Sequence, residues 1–219
     1  MDHADDQPTT AKPRRIAVVT SVFIHPDRQG GGVSQASRDM AVTMARRGHT
    51  VEVVAPLGDL YKFHDRPDTD TFFDGRLKFH YLQGAGGSRL GAKRGNLAEV
   101  LPPVLGRCEL MHLHTFLSPF SDLACRLAIK RGVPFFVSDH GKFTPSMLDH
   151  RGGLKKLYLK LFGTKLLRQA AAVLPLASPL LKAVRGIDPG INAAVVSNGL
   201  DPAQYDTPAD KLPRPIESP

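Results

Sequence analysis

The chain has 219 residues, 42% of them hydrophobic and 23% charged, which is the composition of a globular protein. No run approaches the roughly 20 apolar residues of a membrane-spanning helix, and the polar first 14 residues do not resemble a secretory signal. The formal net charge of +8 favours anionic partners, and no stretch alternates basic with aromatic residues as nucleic-acid binders do.

Predicted strands and helices alternate along the chain. Hydrophobic patterning predicts strands at 15–20, 50–56, 76–82, 108–114, 133–141, 172–177 and 193–199. It predicts helices at 32–49, 93–105, 118–132, 153–172 and 178–186. Short strands separated by helices indicate βαβ units, so we predict a Rossmann-like, doubly wound α/β fold. Its sheet should be mostly parallel, with about seven strands and helices on both faces.

The two ends differ in composition from the rest of the chain. Residues 1–14 are predicted to be a disordered tail, and residues 15–200 the Rossmann-like domain. Residues 201–219 contain five prolines without hydrophobic periodicity, which is typical of a linker, here towards a C-terminal domain. The two cysteines, Cys108 and Cys125, fit neither a disulfide framework nor a metal pattern, so we expect reduced thiols in a cytoplasmic protein.

The first predicted helix has an apolar stripe at helical spacing. The stripe consists of Val33, Ala36, Met40 and Met44, with Ala41 beside it. The charged residues predicted to lie away from it are Arg38, Asp39, Arg46 and Arg47. We therefore expect the stripe to pack on the sheet.

Three consecutive glycines, Gly30 to Gly32, lie between the first strand and this helix. Glycines there leave backbone N–H groups open to a phosphate, although a flexible turn is the alternative. A dinucleotide fingerprint is disfavoured, because Gln35 stands where its third glycine belongs and the second strand ends without an acidic residue. A Walker A loop is excluded, because no Gly-Lys-Ser/Thr follows. We interpret the glycines as a phosphate contact of another kind.

Histidines mark the ends of two predicted central strands. His112 and His114 share one face of their strand, and we interpret them as lining a cleft. A metal site is the alternative, but no third ligand is evident nearby. His140 ends the next strand, and Asp139 either tunes its charge or faces the other side of the sheet. No G-x-S-x-G motif supports hydrolase chemistry.

Residues 151–169 contain six basic residues and no acidic one. Leu154, Leu157, Tyr158 and Leu161 form one stripe of the predicted helix, with Lys155, Lys156 and Lys160 opposite. One interpretation is a domain helix whose basic side faces water. The other is that the three lysines face an anionic membrane.

Four segments together resemble the N-terminal domain of family 4 glycosyltransferases, which have the GT-B fold. They are RIAVVTSVFIHPDRQGGGVSQASRDMAVTMARRGHTVEVVAP, LMHLHTFLSPFSDLACRLAIKRGVPFFVSDHG, AVLPLASPLLKAV and AAVVSNGLD. The matching features are a Gly-Gly-Val helix start, an R-x-G-H-x-V-x-V second strand, an H-x-H to H-G stretch and a closing N-G. The resemblance covers about residues 14–206.

The resemblance implies roles for individual residues. It assigns Gly31 and Gly32 to the donor diphosphate and places His140, the catalytic candidate, near the transferred sugar. The acceptor cleft is predicted to contain Arg28, Gln29, His114, Gly141 and Lys142.

The function that the resemblance implies is the acceptor-binding half of a retaining glycosyltransferase. A sugar would move from a nucleotide-sugar to a hydroxyl on a lipid, glycan or small molecule. No metal or other cofactor is expected, because helix N-termini and basic side chains can neutralise the diphosphate. Most donor contacts would lie in a C-terminal domain or partner chain, so the chain alone is predicted to be inactive.

Two alternatives and a location complete these expectations. The chain could be a non-catalytic module that binds an acceptor or a membrane, or a nucleotide-dependent oxidoreductase, which the broken fingerprint disfavours. A cytoplasmic location is expected, with the basic helix allowing peripheral association with the inner face of the membrane. Nucleic acid is not expected as a partner.

Overall fold

A computed structural model describes residues 12–22, 24, 31–56, 69–86, 93–149 and 152–199. The predicted linker at 201–219, most of the predicted tail, and Arg28 and Gln29 lie outside these residues.

The described residues form strands and helices that largely alternate. The strands are β1 (Arg15–Thr20), β2 (Thr50–Pro56), β3 (Thr69–Phe72), β4 (Leu77–Leu82), β5 (Ala85–Gly86), β6 (Lys93–Arg94), β7 (Leu110–His114), β8 (Phe135–Ser138) and β9 (Ala172–Val173). The helices are α1 (Gly32–Arg46), α2 (Leu97–Leu105), α3 (Pro119–Arg131), α4 (Pro145–Asp149), α5 (Gly152–Tyr158), α6 (Thr164–Gln169) and α7 (Ser178–Ile187). A π-helical turn, Leu159–Gly163, joins α5 to α6. None of the described helices combines the length and hydropathy needed to cross a bilayer.

Seven strands form one sheet in the order β3-β4-β2-β1-β7-β8-β9. The pairs from β4 to β9 are parallel, and β3 pairs antiparallel with β4 at the edge. Strands β5 and β6 form a separate two-stranded ribbon. The prediction of a Rossmann-like, mostly parallel sheet of about seven strands is therefore confirmed.

Near the sheet edges, one predicted strand is wrong in detail and one observed strand was not predicted. The segment 193–199 contributes only one bridge, between Ala193 and Val173, instead of a full strand. The seventh strand is β3, whose TDTF sequence lacks the apolar run that identifies buried strands. An edge strand needs fewer apolar residues, because only one of its sides is paired.

The core has two layers, one on each face of the sheet. Helices α2, α3 and α6 cover the face that carries Met111, Leu113 and Val137. Helix α1 covers the opposite face near Val18 and Phe79. Because the central strands are buried on both faces, their sequences are continuous apolar runs, which is why they were predictable. Both cysteines are free thiols, as expected.

Helix α1 packs through a different face from the predicted one. Its buried residues are Ser34, Ser37, Ala41 and Ala45, whereas the predicted stripe of Val33, Ala36, Met40 and Met44 is only half-buried. Small side chains allow the helix to approach the sheet closely, and the Ser37 hydroxyl donates to the carbonyl of Val33. Arg38 and Asp39 also differ from the prediction, because they form a partly buried ion pair.

A charged network crosses the sheet face below α2. Arg107 donates from Nε to Glu52 Oε1 at 2.9 Å and from Nη2 to Oε2 at 2.6 Å. His80 Nε2 lies 2.8 Å from the same Oε2. Burial alone would raise the pKa of Glu52, but the bonds from His80 and Arg107 outweigh burial and lower it to about 2. Glu52 therefore stays charged inside the sheet and ties β2 to β4 and to the loop before β7.

We expect Arg107→Met to lower the free energy of unfolding at pH 7 by about 2 kcal/mol, because it leaves the buried carboxylate short of partners. Arg14→Met is the matched control, since the Arg14–Glu109 pair is about half exposed on both sides. It should cost less than about 1 kcal/mol. Urea denaturation of both variants measures this difference, and equal losses would contradict a special role for the Glu52 network.

Candidate functional site

The central feature of the candidate site is the carboxyl edge of the sheet between β1 and β7. After β1 the chain adds β2, β4 and β3 on one side of β1. It then adds β7, β8 and β9 on the other side, so the direction of strand addition reverses between β1 and β7. Thr20 lies beside His114, and His114 beside Ser138. Open α/β sheets bind ligands in the crevice at such a switch point.

Hydrogen bonds tie together the loops that leave this edge. Ser21 Oγ and Thr115 Oγ1 are 2.8 Å apart, which joins the loop after β1 to the loop after β7. The Thr115 backbone N–H donates to the carbonyl of Ser138 at 2.8 Å, which joins β7 to β8. The strand ends are thus held as one unit.

The backbone is strained at the same edge. Thr115, Leu117 and His140 have φ values of 74°, 63° and 48°, in the left-handed region that non-glycine residues seldom adopt. Thr115 is the clearest outlier, because its side chain is β-branched. Such conformations cost about 1–3 kcal/mol each and concentrate at functional sites.

Three histidines stack at the carboxyl ends of β7 and β8. The ring centroids of His112 and His114 are 4.5 Å apart, and those of His114 and His140 are 5.2 Å apart. His112 Nε2 lies 2.9 Å from Ser138 Oγ, and His114 Nδ1 lies 2.9 Å from His140 Nε2. The structure therefore brings His114 and His140 into direct contact.

The buried ring of His114 determines which of these nitrogens carries a proton. Its Nε2 is buried and has no hydrogen-bond partner among the described residues. A buried N–H without an acceptor is costlier than an unused lone pair, so we assign the proton of His114 to Nδ1. His140 Nε2 is then the acceptor of the bond. A neutral His140 consequently carries its own proton on Nδ1 and offers a donor there.

Burial keeps all three imidazoles neutral. It lowers the pKa of His112 to about 4, with repulsion from His140 adding to the shift. Burial also lowers the pKa of His114 well below its ordinary value, with repulsion from the other two histidines adding to the effect. The pKa of His140 is lowered by burial and then by Lys142. The stack is thus uncharged at neutral pH.

Asp139 shapes the turn that carries His140 and does not set the charge of His140. Its buried Oδ2 accepts a long hydrogen bond, 3.5 Å, from the backbone N–H of Phe143. Its backbone carbonyl accepts from the Lys142 N–H at 3.1 Å. Burial raises the pKa of Asp139. These contacts match neither predicted alternative, since Asp139 contacts the backbone of its own turn.

The start of α1 is built without a side-chain cap. Gly31 is the N-cap residue, and the first turn contains no acidic side chain. The first N–H groups of a helix have no acceptor within the helix itself, which is why helix starts can bind anions. Among the described residues, a Cβ built on Gly31 or Gly32 would meet nothing within 4 Å, and neither φ is positive. The fold itself therefore does not require glycine at either position.

The sequence-predicted residues are distributed as follows. His114, His140 and Gly141 meet at the carboxyl edge, with Lys142 in the same turn. Gly31 and Gly32 begin the helix that follows β1. Three further residues of this edge, Ser21, Thr115 and Ser138, were not predicted. The signal that could have found them is their position at the end of predicted strands.

A groove of about 1060 Å³ lies between α1 and residues 174–199 on one face of the sheet and borders the candidate site. It reaches His112, His114 and Ser138, but Gly31, Gly32 and His140 do not line it. We place the candidate site at the carboxyl edge, because the strained loops lie there and the uncapped helix α1 follows the strand β1 that ends there. No group of three or more His, Cys, Asp or Glu side chains is arranged to hold a metal ion in the part of the chain that the structure describes.

The histidine stack makes the stability of the protein depend on pH. Folding lowers the pKa of His112 from 6.5 to about 4, so the unfolded chain binds more protons between these values. The free energy of unfolding should therefore fall as the pH drops from 6.5 to 4, by up to about 1.4 kcal/mol per pH unit for each such histidine. His112→Gln should make this slope shallower in urea denaturation across the range. An unchanged slope would show that His112 is not buried in its neutral form.

The fold has counterparts among solved structures. The catalytic domain of starch synthase IV from Arabidopsis thaliana, bound to ADP and acarbose, is 13% identical with a TM-score of 0.58, over 91% of this chain and 54% of that one. Sucrose-phosphate synthase from Thermosynechococcus elongatus is 17% identical with a TM-score of 0.55, over 90% and 54%. HepE from Anabaena, in complex with UDP and glucose, is 13% identical with a TM-score of 0.56, over 90% and 47%. At these identities the likeness shows the fold alone.

The chain spans about half the length of these structures. No curated protein sequence matches it. A family model does, and it is described as a glycosyl transferase 4-like domain. The match runs over residues 31–199, from the glycine that caps α1 through the histidine stack to the end of the described residues. The predicted resemblance is thereby confirmed: the chain belongs to the glycosyl transferase 4-like domain family.

Proposed function

We propose that this chain is the N-terminal, acceptor-binding half of a glycosyltransferase that moves a sugar from a nucleotide-sugar to an acceptor hydroxyl. The proposal is carried by the start of α1, which follows β1 and has no side-chain cap, and by a neutral, donor-bearing histidine at the switch-point crevice. The first suits a diphosphate and the second a sugar oxygen. Family membership supports the same chemistry.

In this proposal the start of α1 binds the donor diphosphate. Gly31 and Gly32 add no side chain at the helix start, and the partial positive charge of the helix end attracts the phosphates. The diphosphate is the leaving group, so its negative charge grows as the glycosidic bond breaks. Donors fixed in place before the reaction stabilise that developing charge most effectively.

His140 would orient the transferred sugar through Nδ1–H. Its Nε2 accepts from His114, so that nitrogen is not free to take a proton from the acceptor. His114 is then a positioning residue, since it acts through His140. The acceptor cleft would include Gly141 and Lys142, with Arg28 and Gln29 contributing from the loop before α1. We propose transfer with retention of configuration, as the family resemblance implies.

The proposed donor site is completed outside this chain. Two of the structurally similar proteins hold a nucleoside diphosphate, ADP in starch synthase IV and UDP in HepE. We propose a donor of this class, held mainly by a C-terminal domain or partner chain beyond a linker at 201–219. Transfer would need no metal cofactor, because the helix start and basic side chains neutralise the diphosphate. The chain alone would bind donor weakly and transfer no sugar.

Of the possible acceptors we propose a lipid-linked one, handled in the cytoplasm at the inner face of the membrane. The support is the basic segment that begins shortly after His140. Lys155, Lys156 and Lys160 lie on α5 and the π-helical turn and are the proposed membrane-facing cations. Their electrostatic attraction to anionic lipid adds about 1 kcal/mol per basic residue.

Gly32→Ala separates a binding role of the glycine from a structural one. The new methyl group has space and the backbone is already helical, so the variant should be as stable as the parent, or more stable by up to about 1 kcal/mol. Affinity for UDP or ADP, measured by calorimetry or NMR titration, should fall about tenfold as one charge-assisted hydrogen bond is obstructed.

Gly186→Ala in α7 is the matched control, because a Cβ there also meets nothing within 4 Å. It should gain similar stability and keep the parent affinity. Unchanged nucleotide affinity in Gly32→Ala would rule out the proposed diphosphate contact.

A further inference from the structure

We propose that an apolar ridge on α5 and the π-helical turn inserts into the headgroup region of an anionic membrane. The ridge consists of Leu154, Leu157, Leu161 and Phe162. This goes beyond the electrostatic contact of the lysines, because it gives the protein an inserted anchor with a fixed orientation.

The ridge is exposed, although one of the two sequence-based interpretations would place its three leucines against the domain. The exposed fractions of its four residues range from 47% to 75%, and Met147 on neighbouring α4 is 42% exposed. The core side of the segment is formed instead by Leu159, Gly163, Leu166 and Leu167. Large apolar side chains grouped on one surface mark an interaction site more often than scattered ones do.

The outward orientation of the ridge is fixed by packing. Tyr158 donates from its hydroxyl to Asp122 Oδ1 on α3 at 3.0 Å, and Leu159 is buried beside it. Gly163 permits this fit, because a Cβ there would lie 2.9 Å from Leu159 Cδ2 and 3.0 Å from Tyr158 Cε1. The ridge therefore projects from a helix that is anchored on its other side.

The π-helical turn keeps Leu161 and Phe162 in line with the leucines before them. Thr164 Oγ1 donates to the carbonyl of Leu159 at 2.8 Å, across the wider turn. The extra residue in such a turn changes the direction of the side chains that follow it. As a result Leu161 and Phe162 are exposed, while Leu159 of the same turn and Leu166 and Leu167 of α6 face the core.

Charge complementarity identifies the occupant as an anionic bilayer. Residues 152–169 contain no acidic residue, and the exposed Lys156 and Lys160 flank the ridge. Lys156 contacts Asp149 at 2.6 Å, but both side chains are about 60% exposed, so this pair is easily exchanged for a lipid phosphate. Lysine stems lie along apolar surface while their ammonium groups reach headgroups.

A second copy of this chain fits the surface less well. In a two-fold dimer the ridge would meet itself, and the lysines of both copies would approach each other, while residues 152–169 supply no acidic side chain to offset them. A bilayer offers an apolar interior to the ridge and anionic headgroups to the lysines on its flanks.

The ridge lies beside the candidate site. Helix α4 begins five residues after His140, and Lys155 Nζ donates to the Met147 carbonyl at 2.7 Å, which joins α5 to α4. The Phe116 ring, two residues after His114, packs against Tyr158 at 6.4 Å between centroids. Insertion would thus bring the carboxyl edge to the headgroups. Access to a lipid-linked acceptor rests on the proposed function, whereas docking itself does not.

The absence of tryptophan from the chain allows a direct test. Phe162→Trp in the 219-residue chain reports on the ridge without background, and Val196→Trp, at a site 50% exposed outside the ridge, is the matched control. Both are titrated with vesicles of phosphatidylcholine containing about 30% phosphatidylglycerol. We expect a blue shift and quenching by brominated acyl chains for Phe162→Trp only.

Leu157→Ser combined with Leu161→Ser should weaken vesicle binding by about a hundredfold, roughly tenfold for each leucine. Lys156→Gln combined with Lys160→Gln should weaken it mainly at low salt. Circular dichroism checks that each variant is folded, and UDP affinity should be unchanged in all of them. If the parent chain does not bind UDP, the proposed function is contradicted, whereas the result on membrane docking is unaffected.

Three outcomes would overturn the docking proposal. One is the absence of a blue shift with anionic vesicles for Phe162→Trp. Another is a blue shift that rises with protein concentration without vesicles, which would indicate a second copy as the occupant. The third is vesicle binding that is unchanged when both leucines are replaced.

Discussion

The parallel pairing of β1 with β7 is the constraint on which the rest of this structure depends. Helix α1, which follows β1, covers one face of the sheet, and α3, which follows β7, covers the other. The two connections therefore leave a crevice between Thr20 and His114 at the carboxyl edge. The pairing of β7 with β8 then brings His140 into that crevice. His114 and His140 meet there because of the strand order, although they lie 26 residues apart in the sequence, and α1 begins after the strand that forms the other wall.

The two buried polar clusters of this sheet have different charge states, because their partners differ. Glu52 is as buried as His112, but a guanidinium and an imidazole bond to it, so it stays charged and holds strands together. The three histidines have mainly one another as neighbours, and a proton on any of them would meet burial without a counter-charge. A neutral stack supplies directed hydrogen bonds without repelling or attracting a diphosphate by net charge. This suits a site that orients a sugar while the helix start binds the anion.

The sequence alone was sufficient to predict the parallel sheet, because strands such as β1 and β2 are continuous apolar runs between recognisable helices. It failed where packing decides the outcome. Serines and alanines form the buried face of α1, and the π-helical turn redirects the leucines of the basic segment, which no periodicity rule anticipates. The family resemblance identified His114 and His140 separately. Their hydrogen bond and the left-handed backbone at Thr115 depend on strand register, which local sequence does not encode.

Among the described residues, the groove between α1 and residues 174–199 is an alternative to the carboxyl edge as the binding site of the donor diphosphate. Mapping UDP onto the chain by amide chemical-shift perturbation in ¹⁵N-labelled protein distinguishes the two most directly. We expect the largest perturbations at Gly32, Val33 and Gly141, at the start of α1 and in the turn after β8. Perturbations concentrated instead at Phe136, Leu176 and Val196, along the groove, would contradict this account.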